Sequence, residues 1–213
     1  MRISHQHRFI FFSNPKTGSE SMRALLDPIS DFHGNTRPTP SQPFYDHMRP
    51  IAARDAFRRM GWDYSSYYSF VFVRNPWARL ASLYAMIRSL DSEMKLTFTS
   101  WLETISPHGP GGGSELSWRK FGAYSLAAFA GGGGDELFVD EVFRLEDIAS
   151  VPDKLRRRGL PLAPGVLAPH VNRTHGSIDY RQLYTTKRSI ELVGERYADD
   201  IRRFKYKFPP ASK

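Results

Sequence analysis

The chain has 213 residues, 40% hydrophobic and 24% charged, which suits a single globular domain long enough to bury a core without covalent staples. It contains no cysteine, which excludes disulfides, thiolate metal sites and cysteine nucleophiles. A formal net charge of +8 favours an anionic partner: nucleic acid, acidic glycan, a membrane surface or a phosphate-rich cofactor. A solvated basic surface explains the same charge equally well.

The N-terminal MRISHQHRF lacks the apolar stretch of a secretory signal. Runs such as FIFF and FVFV are far too short to cross a bilayer. The expectation is a soluble, cytoplasmic protein folded as one domain over residues 1–213. Strand character begins at RFIFFS (8–13), and a helix is predicted over 19–27. A Pro-, Gly- and Ser-rich loop follows at 27–43, then a helix over 51–60, a strand at 67–74 (YYSFVFVR) and a helix over 76–90. SPHGPGGGS (106–114) reads as a loop, 118–130 as a helix and GGGG (131–134) as a second flexible link. ELFVDEVFRLE (136–146) holds a strand and a turn, and 159–170 is a loop. Over 186–204, Ile190, Val193, Tyr197, Ile201 and Phe204 recur at spacings of three and four, predicting one helix with one buried stripe. Strands alternating with helices predict an α/β fold, a parallel sheet with helices on both faces.

In such sheets ligands bind beyond the carboxyl ends of the strands. The first corner, FIFFSNPKTGSESMRALL, therefore carries chemistry. A helix start there offers unpaired amides and partial positive charge to an anion. Gly18 allows close backbone approach, Lys16 adds a point charge, and Thr17, Ser19 and Ser21 add hydroxyl donors. Thr17 and Glu20 also have the spacing of a capping box, which would serve helix stability alone. A nucleotide-triphosphate loop places its lysine after the second glycine, whereas Lys16 precedes Gly18. The corner suits a phosphate or sulfate that needs no metal.

The second corner, FVFVRNPWARLASLY (70–84), also passes from strand to helix. Asn75 is placed to cap the helix and Pro76 takes its first position. Arg74 closes the strand, where a guanidinium makes a phosphate fork. Arg79 and Ser82 share a helix face, and Arg79 reads as a surface or inter-helix ion pair. Leu80, Leu83, Tyr84 and Ile87 form the side expected to pack toward the sheet.

PKTGSES resembles the 5′-phosphosulfate loop of PAPS-dependent sulfotransferases, and RNPWARLASLY resembles their 3′-phosphate motif, R-N-P-x-x-R-x-x-S-x-Y. The resemblance is strongest to carbohydrate O-sulfotransferases of the heparan and uronyl type and their bacterial relatives. PHVNRTHGSIDYRQLY and LVGERYADDIRRFKYKF are similar to that group's C-terminal end, while residues 91–135 carry no such likeness. The resemblance implies a P-loop-like three-layer fold with a central, mainly parallel sheet flanked by helices. It implies transfer of the sulfuryl group of PAPS to a carbohydrate hydroxyl, releasing PAP, with no metal. Lys16 would neutralise the bridging oxygen as PAP departs. Thr17, Gly18, Ser19 and Ser21 would hold the 5′-phosphate, and Arg74 with Ser82 the 3′-phosphate. Arg173 and Thr174 are further donor-site candidates. Glu20, also placed in the donor loop, departs from the threonine of many relatives, and its carboxylate would repel a bound dianion unless turned back into the cap.

The acceptor hydroxyl needs a base, and histidine titrates near the operating pH. His47, in FYDHMRPIAARDAF, stands where heparan-type relatives carry a catalytic histidine, and neighbouring Asp46 is the alternative. His5, His7 and His33 read as solvent-exposed, His108 belongs to the glycine loop, and His170 and His175 flank VNRT. Residues 28–46 and 91–118 are expected to line the acceptor cleft. Two other readings compete: a P-loop kinase-like phosphotransferase, which requires magnesium, and a non-catalytic binder of acidic glycan or nucleic acid. The basic residues lack the aromatic interleaving of a base-stacking surface, so nucleic acid is not the expected partner. KLRRR (154–158), the one tight cluster, reads as a solvated helix face.

Overall fold

A computed structural model describes residues 1–34, 38–91, 94–108, 122–132, 136–169 and 179–209. In chain order the first elements are β1 (Arg2–Ser4), β2 (Phe9–Phe12), α1 (Ser19–Leu26), β3 (Phe32–His33), α2 (Pro50–Arg59) and β4 (Tyr68–Val73). They are followed by α3 (Pro76–Leu90), α4 (Phe98–Thr104), α5 (Leu126–Ala130), β5 (Glu141–Arg144), α6 (Val151–Arg157), α7 (Lys187–Arg196) and α8 (Ala198–Phe204). The chain divides into two compact units, Met1–Val73 with Phe129–Arg173 and Arg74–Ala128 with Thr174–Lys213.

The first unit holds a five-stranded sheet in the order β3-β1-β2-β4-β5. β2, β4 and β5 run parallel, but β1 pairs antiparallel with both β2 and β3, so the sheet is mixed rather than mainly parallel. The reason is local. β1 reaches β2 through the short turn His5–Arg8, and so tight a link can join only antiparallel strands. The Asp31 carboxylate accepts from the amides of His5 and Gln6 and holds that turn, in which Arg8 takes a φ of 53°. β3 lies inside the stretch expected to be loop, and Phe32 packs its ring against His5, Phe44 and Trp62. His5 is accordingly half-buried and hydrogen-bonded to the Tyr67 hydroxyl, not solvent-exposed as expected; His33 is exposed.

Alternation along β2 and β4 puts Phe9, Phe11, Phe70 and Phe72 on one face, where Phe143 of β5 joins them. Met22, Leu25 and Leu26 of α1, with Val151 and Leu155 of α6, complete this core. Lys154, Arg156, Arg157 and Arg158 leave only Leu155 of their run fully buried, as expected of a solvated basic face. Phe12 pairs with Val71 in the parallel ladder, so β2 and β4 leave the sheet at the same edge.

The second unit is helical among its described residues. Asn75 accepts from the amides of Trp77 and Ala78 and Pro76 occupies the first turn, as the sequence predicts. Leu80, Leu83, Tyr84 and Ile87 are buried, and within the unit this helix packs on α4 and α7, with Tyr84 edge-on to Phe98 of α4. Arg79 is not an ion-paired surface residue. It is 2% exposed and donates to the backbone carbonyls of Gly122 and Tyr124. Those carbonyls lie in turn and irregular backbone, so the described part of the predicted 118–130 helix begins only at Leu126.

The predicted helix over 186–204 breaks at Tyr197, where φ is −113°. The Tyr197 ring is buried and its hydroxyl donates to the Ala123 carbonyl, while Asp200 turns inward to accept from the Leu126 amide at 3.0 Å. The continuous stripe is therefore interrupted: Val193 and Tyr197 are buried, but Ile190, Ile201 and Phe204 are only partly so. None of the helices of the described residues is long and apolar enough to cross a membrane.

Phe70 lies 5.4 Å from the Phe11 ring and 5.8 Å from the Phe143 ring, at the centre of the sheet core. Phe70→Ala is expected to cost about 3–5 kcal/mol, read as a lowered urea midpoint with an unchanged slope.

Candidate functional site

The site in the first unit starts where β2 leaves the sheet. Asn14 is fully buried, and its side-chain amide donates to the Phe72 carbonyl of β4 at 3.2 Å, tying the loop to the neighbouring strand. Its own carbonyl accepts from the hydroxyls of Thr17 (2.8 Å) and Ser19 (2.9 Å). These two side chains, expected to donate to an anion, are turned onto the loop's backbone and brace it. Ser21 is buried on α1 and Lys16 is half-buried, its φ of 63° marking a tight bend.

Gly18 is the N-cap of α1 with φ 82° and ψ 22°, a left-handed conformation that favours glycine. A Cβ there would lie 2.4 Å from Leu145 Cδ1. The expected capping box does not form. The cap position falls on Gly18, Thr17 donates to Asn14, and Glu20 pairs with Arg23 one turn along the helix. The Glu20 carboxylate is thereby engaged away from the cap. The first intrahelical bond runs from the Met22 amide to the Gly18 carbonyl, so the amides of Ser19 and Glu20 precede the ladder. Such amides, at the positive end of a helix and beside a lysine, fit a phosphate or sulfate group.

His47 joins this loop. Its Nδ1 lies 2.7 Å from the Ser13 carbonyl oxygen, which can only accept, so Nδ1 carries the proton. The neutral ring then presents Nε2 as a lone pair. Burial holds the imidazole below its ordinary value, which keeps that neutral form at physiological pH. Asp46 is differently placed. Burial alone would raise its carboxyl, but the hydrogen bond and charge of Arg23, 2.7 Å away, outweigh that and hold it below the usual carboxylate range. A carboxylate so stabilised is a poor proton acceptor, whereas the neutral His47 ring has a lone pair to offer.

In the second unit Arg74 and Ser82 are half-buried, Arg74 immediately after β4 in sequence and Ser82 on α3. His108 is exposed. Arg173, Thr174, His170 and His175 lie outside the described residues.

Residues 1–128 match the sequence model of the Sulfotransferase family. The chain belongs to that family. No curated protein and no solved structure matches it. The match includes both strand-to-helix corners of this sulfotransferase, the loop after β2 and the segment after β4.

Two contributors escaped the sequence reading. Arg23 looked like an ordinary helix residue, although its spacing of three from Glu20 signalled a pair; its burial and its bond to Asp46 needed the fold. The Ser13 carbonyl carried no signal, because any residue supplies one. Gly18→Ala would force a left-handed alanine against Leu145. It is expected to destabilise the protein by about 1–2 kcal/mol, measured as a lower thermal midpoint.

Proposed function

We propose that this sulfotransferase moves the sulfuryl group of PAPS to a hydroxyl of a carbohydrate acceptor and releases PAP, with His47 as general base. Family membership supplies sulfuryl transfer in general. The observation that carries the finer reading is the bond from His47 Nδ1 to the Ser13 carbonyl. It sets a neutral imidazole, with Nε2 bare, on the loop that holds Lys16.

Sulfuryl transfer resembles phosphoryl transfer, in which charge accumulates on the leaving oxygen and catalysis rests on positioning and electrostatics. Lys16 is assigned to that charge, supplying a cation at the bridging oxygen. The amides at the start of α1, with Thr17, Gly18, Ser19, Glu20 and Ser21 shaping the loop, are assigned the 5′-phosphate. Glu20 contributes backbone only, since Arg23 engages its carboxylate. Arg74 and Ser82 are assigned the 3′-phosphate, and Arg173 and Thr174 further donor contacts, by their match to the family pattern. His47 Nε2 takes the proton of the acceptor hydroxyl as its oxygen attacks sulfur. Residues 28–46, which lead directly to His47, are assigned to the acceptor side. The chain's basic excess suits a uronate-bearing glycan.

PAP is expected to raise the thermal midpoint more than ADP or ATP at equal concentration, by mass action on the native state. Lys16→Ala should lower PAP release from PAPS, with heparosan and unsulfated chondroitin as acceptor probes, by about 10²–10³-fold while the fold persists. Equal turnover would remove Lys16 from the chemistry.

His47→Ala should leave PAP affinity intact and abolish transfer. Only the unprotonated ring serves as base, and burial places its value under the ordinary 6.5. Turnover should therefore persist as pH falls to 6.5 and decline only below it, as a pH–rate profile would register.

A further inference from the structure

His47 sits in a segment with little regular structure of its own. Residues 46 and 47 form a turn between an isolated bridge residue and the start of α2 at Pro50. Its place must therefore be set by side-chain ties from elsewhere. One is the bond to Ser13. The other runs through Asp46. The Arg23 guanidinium, on α1 and 9% exposed, has Nη1 2.7 Å from Asp46 Oδ1 and pairs through Nη2 with Glu20. Arg2 approaches the same Asp46 oxygen at 3.8 Å, and the Met1 nitrogen donates to the Asp46 carbonyl at 2.8 Å.

Arg23 belongs to the helix whose N-terminus begins at the Lys16 loop. We infer that Arg23 is a positioning residue for His47, acting through Asp46 to lock the base to the helix that carries the donor loop. The inference rests on His47 being the base. It adds that one guanidinium couples the two halves of the reaction, the group that receives the proton and the loop that faces the leaving group. Arg23 touches no reacting atom. It supplies geometry, because a buried guanidinium forks between two carboxylates with little freedom. It also supplies charge, because its Nη1, 2.7 Å from Asp46 Oδ1, is closer than Arg2 at 3.8 Å or the Met1 nitrogen at 3.7 Å.

The charged and titratable groups facing His47 are Arg23 from α1, Asp46 from its own turn and the Met1 nitrogen before β1. Arg23 acts to lower the imidazole's proton affinity and Asp46 to raise it. The two substitutions should consequently move it in opposite directions, which loss of folding alone cannot imitate.

The test uses the full chain labelled with ¹⁵N-histidine, His47 being assigned by its disappearance in His47→Ala. Imidazole nitrogen shifts then report tautomer and titration without need of an acceptor. Native protein should show His47 with the proton on Nδ1. In Arg23→Met its titration should move to higher pH and the Nδ1–H form lose its dominance. In Asp46→Asn the titration should move to lower pH. Arg23→Lys, which keeps the charge, should restore the native titration in large part.

PAP release from PAPS, with the same glycan probes, should fall about 100-fold in Arg23→Met at unchanged PAP affinity. Adding Asp46→Asn should cost little more, because both substitutions break one linkage. If Arg23→Met does not fold, the Asp46→Asn and Arg23→Lys spectra decide alone. Unchanged His47 signals in the folded variants, or a weakening of PAP binding that accounts for the lost turnover, would overturn the positioning role. Full turnover by His47→Ala would instead overturn the base assignment on which it depends.

Discussion

Two carbonyl oxygens, those of Ser13 and Asn14, sit where β2 runs out of ladder partners, and the site is built on them. Inside a sheet each would accept from a neighbouring strand. Beyond Phe12 they must find other donors, because a buried unpaired carbonyl is costly. Ser13 receives the His47 ring and Asn14 receives two hydroxyls of the following loop. The end of a strand thus becomes the fixed point from which the His47 ring and the Lys16 loop are both hung. The Asn14 amide, bonded to Phe72, transmits the rigidity of the central strands to that point.

Charge is arranged around the loop with the same economy. Glu20 on α1 and Asp46 in the turn before α2 are both engaged by Arg23. With both acids paired, the helix amides and Lys16 set the sign of the local field. Neutralising carboxylates in place, rather than omitting them, keeps the ion pairs available to hold the turn before α2.

The second unit relies on buried polar side chains used as backbone ties. Arg79, Tyr197 and Asp200 reach the carbonyls of Gly122, Tyr124 and Ala123 and the amide of Leu126. Burial raises the carboxyl of Asp200 above the usual range, and nearby Arg79 opposes that shift. Residues 122–126 carry little ladder structure, and side chains from α3 and from the Tyr197 break satisfy them instead. Arg79 is in this respect a structural member, within the span that matches the family.

Much of this was legible from local pattern. β2, β4, α2 and α3 follow their apolar periods and caps almost to the residue, because strand alternation, an Asn cap and a first-turn proline act within a few residues. The helix start after Gly18 was legible for the same reason. Strand direction, the cap at Gly18 rather than Thr17, the break at Tyr197 and the ties of Arg23 and Arg79 were decided only in three dimensions. Each depends on a partner distant in sequence: Asp31 for the β1 turn, Leu145 beside Gly18, Ala123 for Tyr197, Asp46 for Arg23. The sequence by itself determined which backbone and which chemical groups stand at the corner after β2. Tertiary structure decided which of them face one another, because burial forces each polar group to the partner that folding brings within reach.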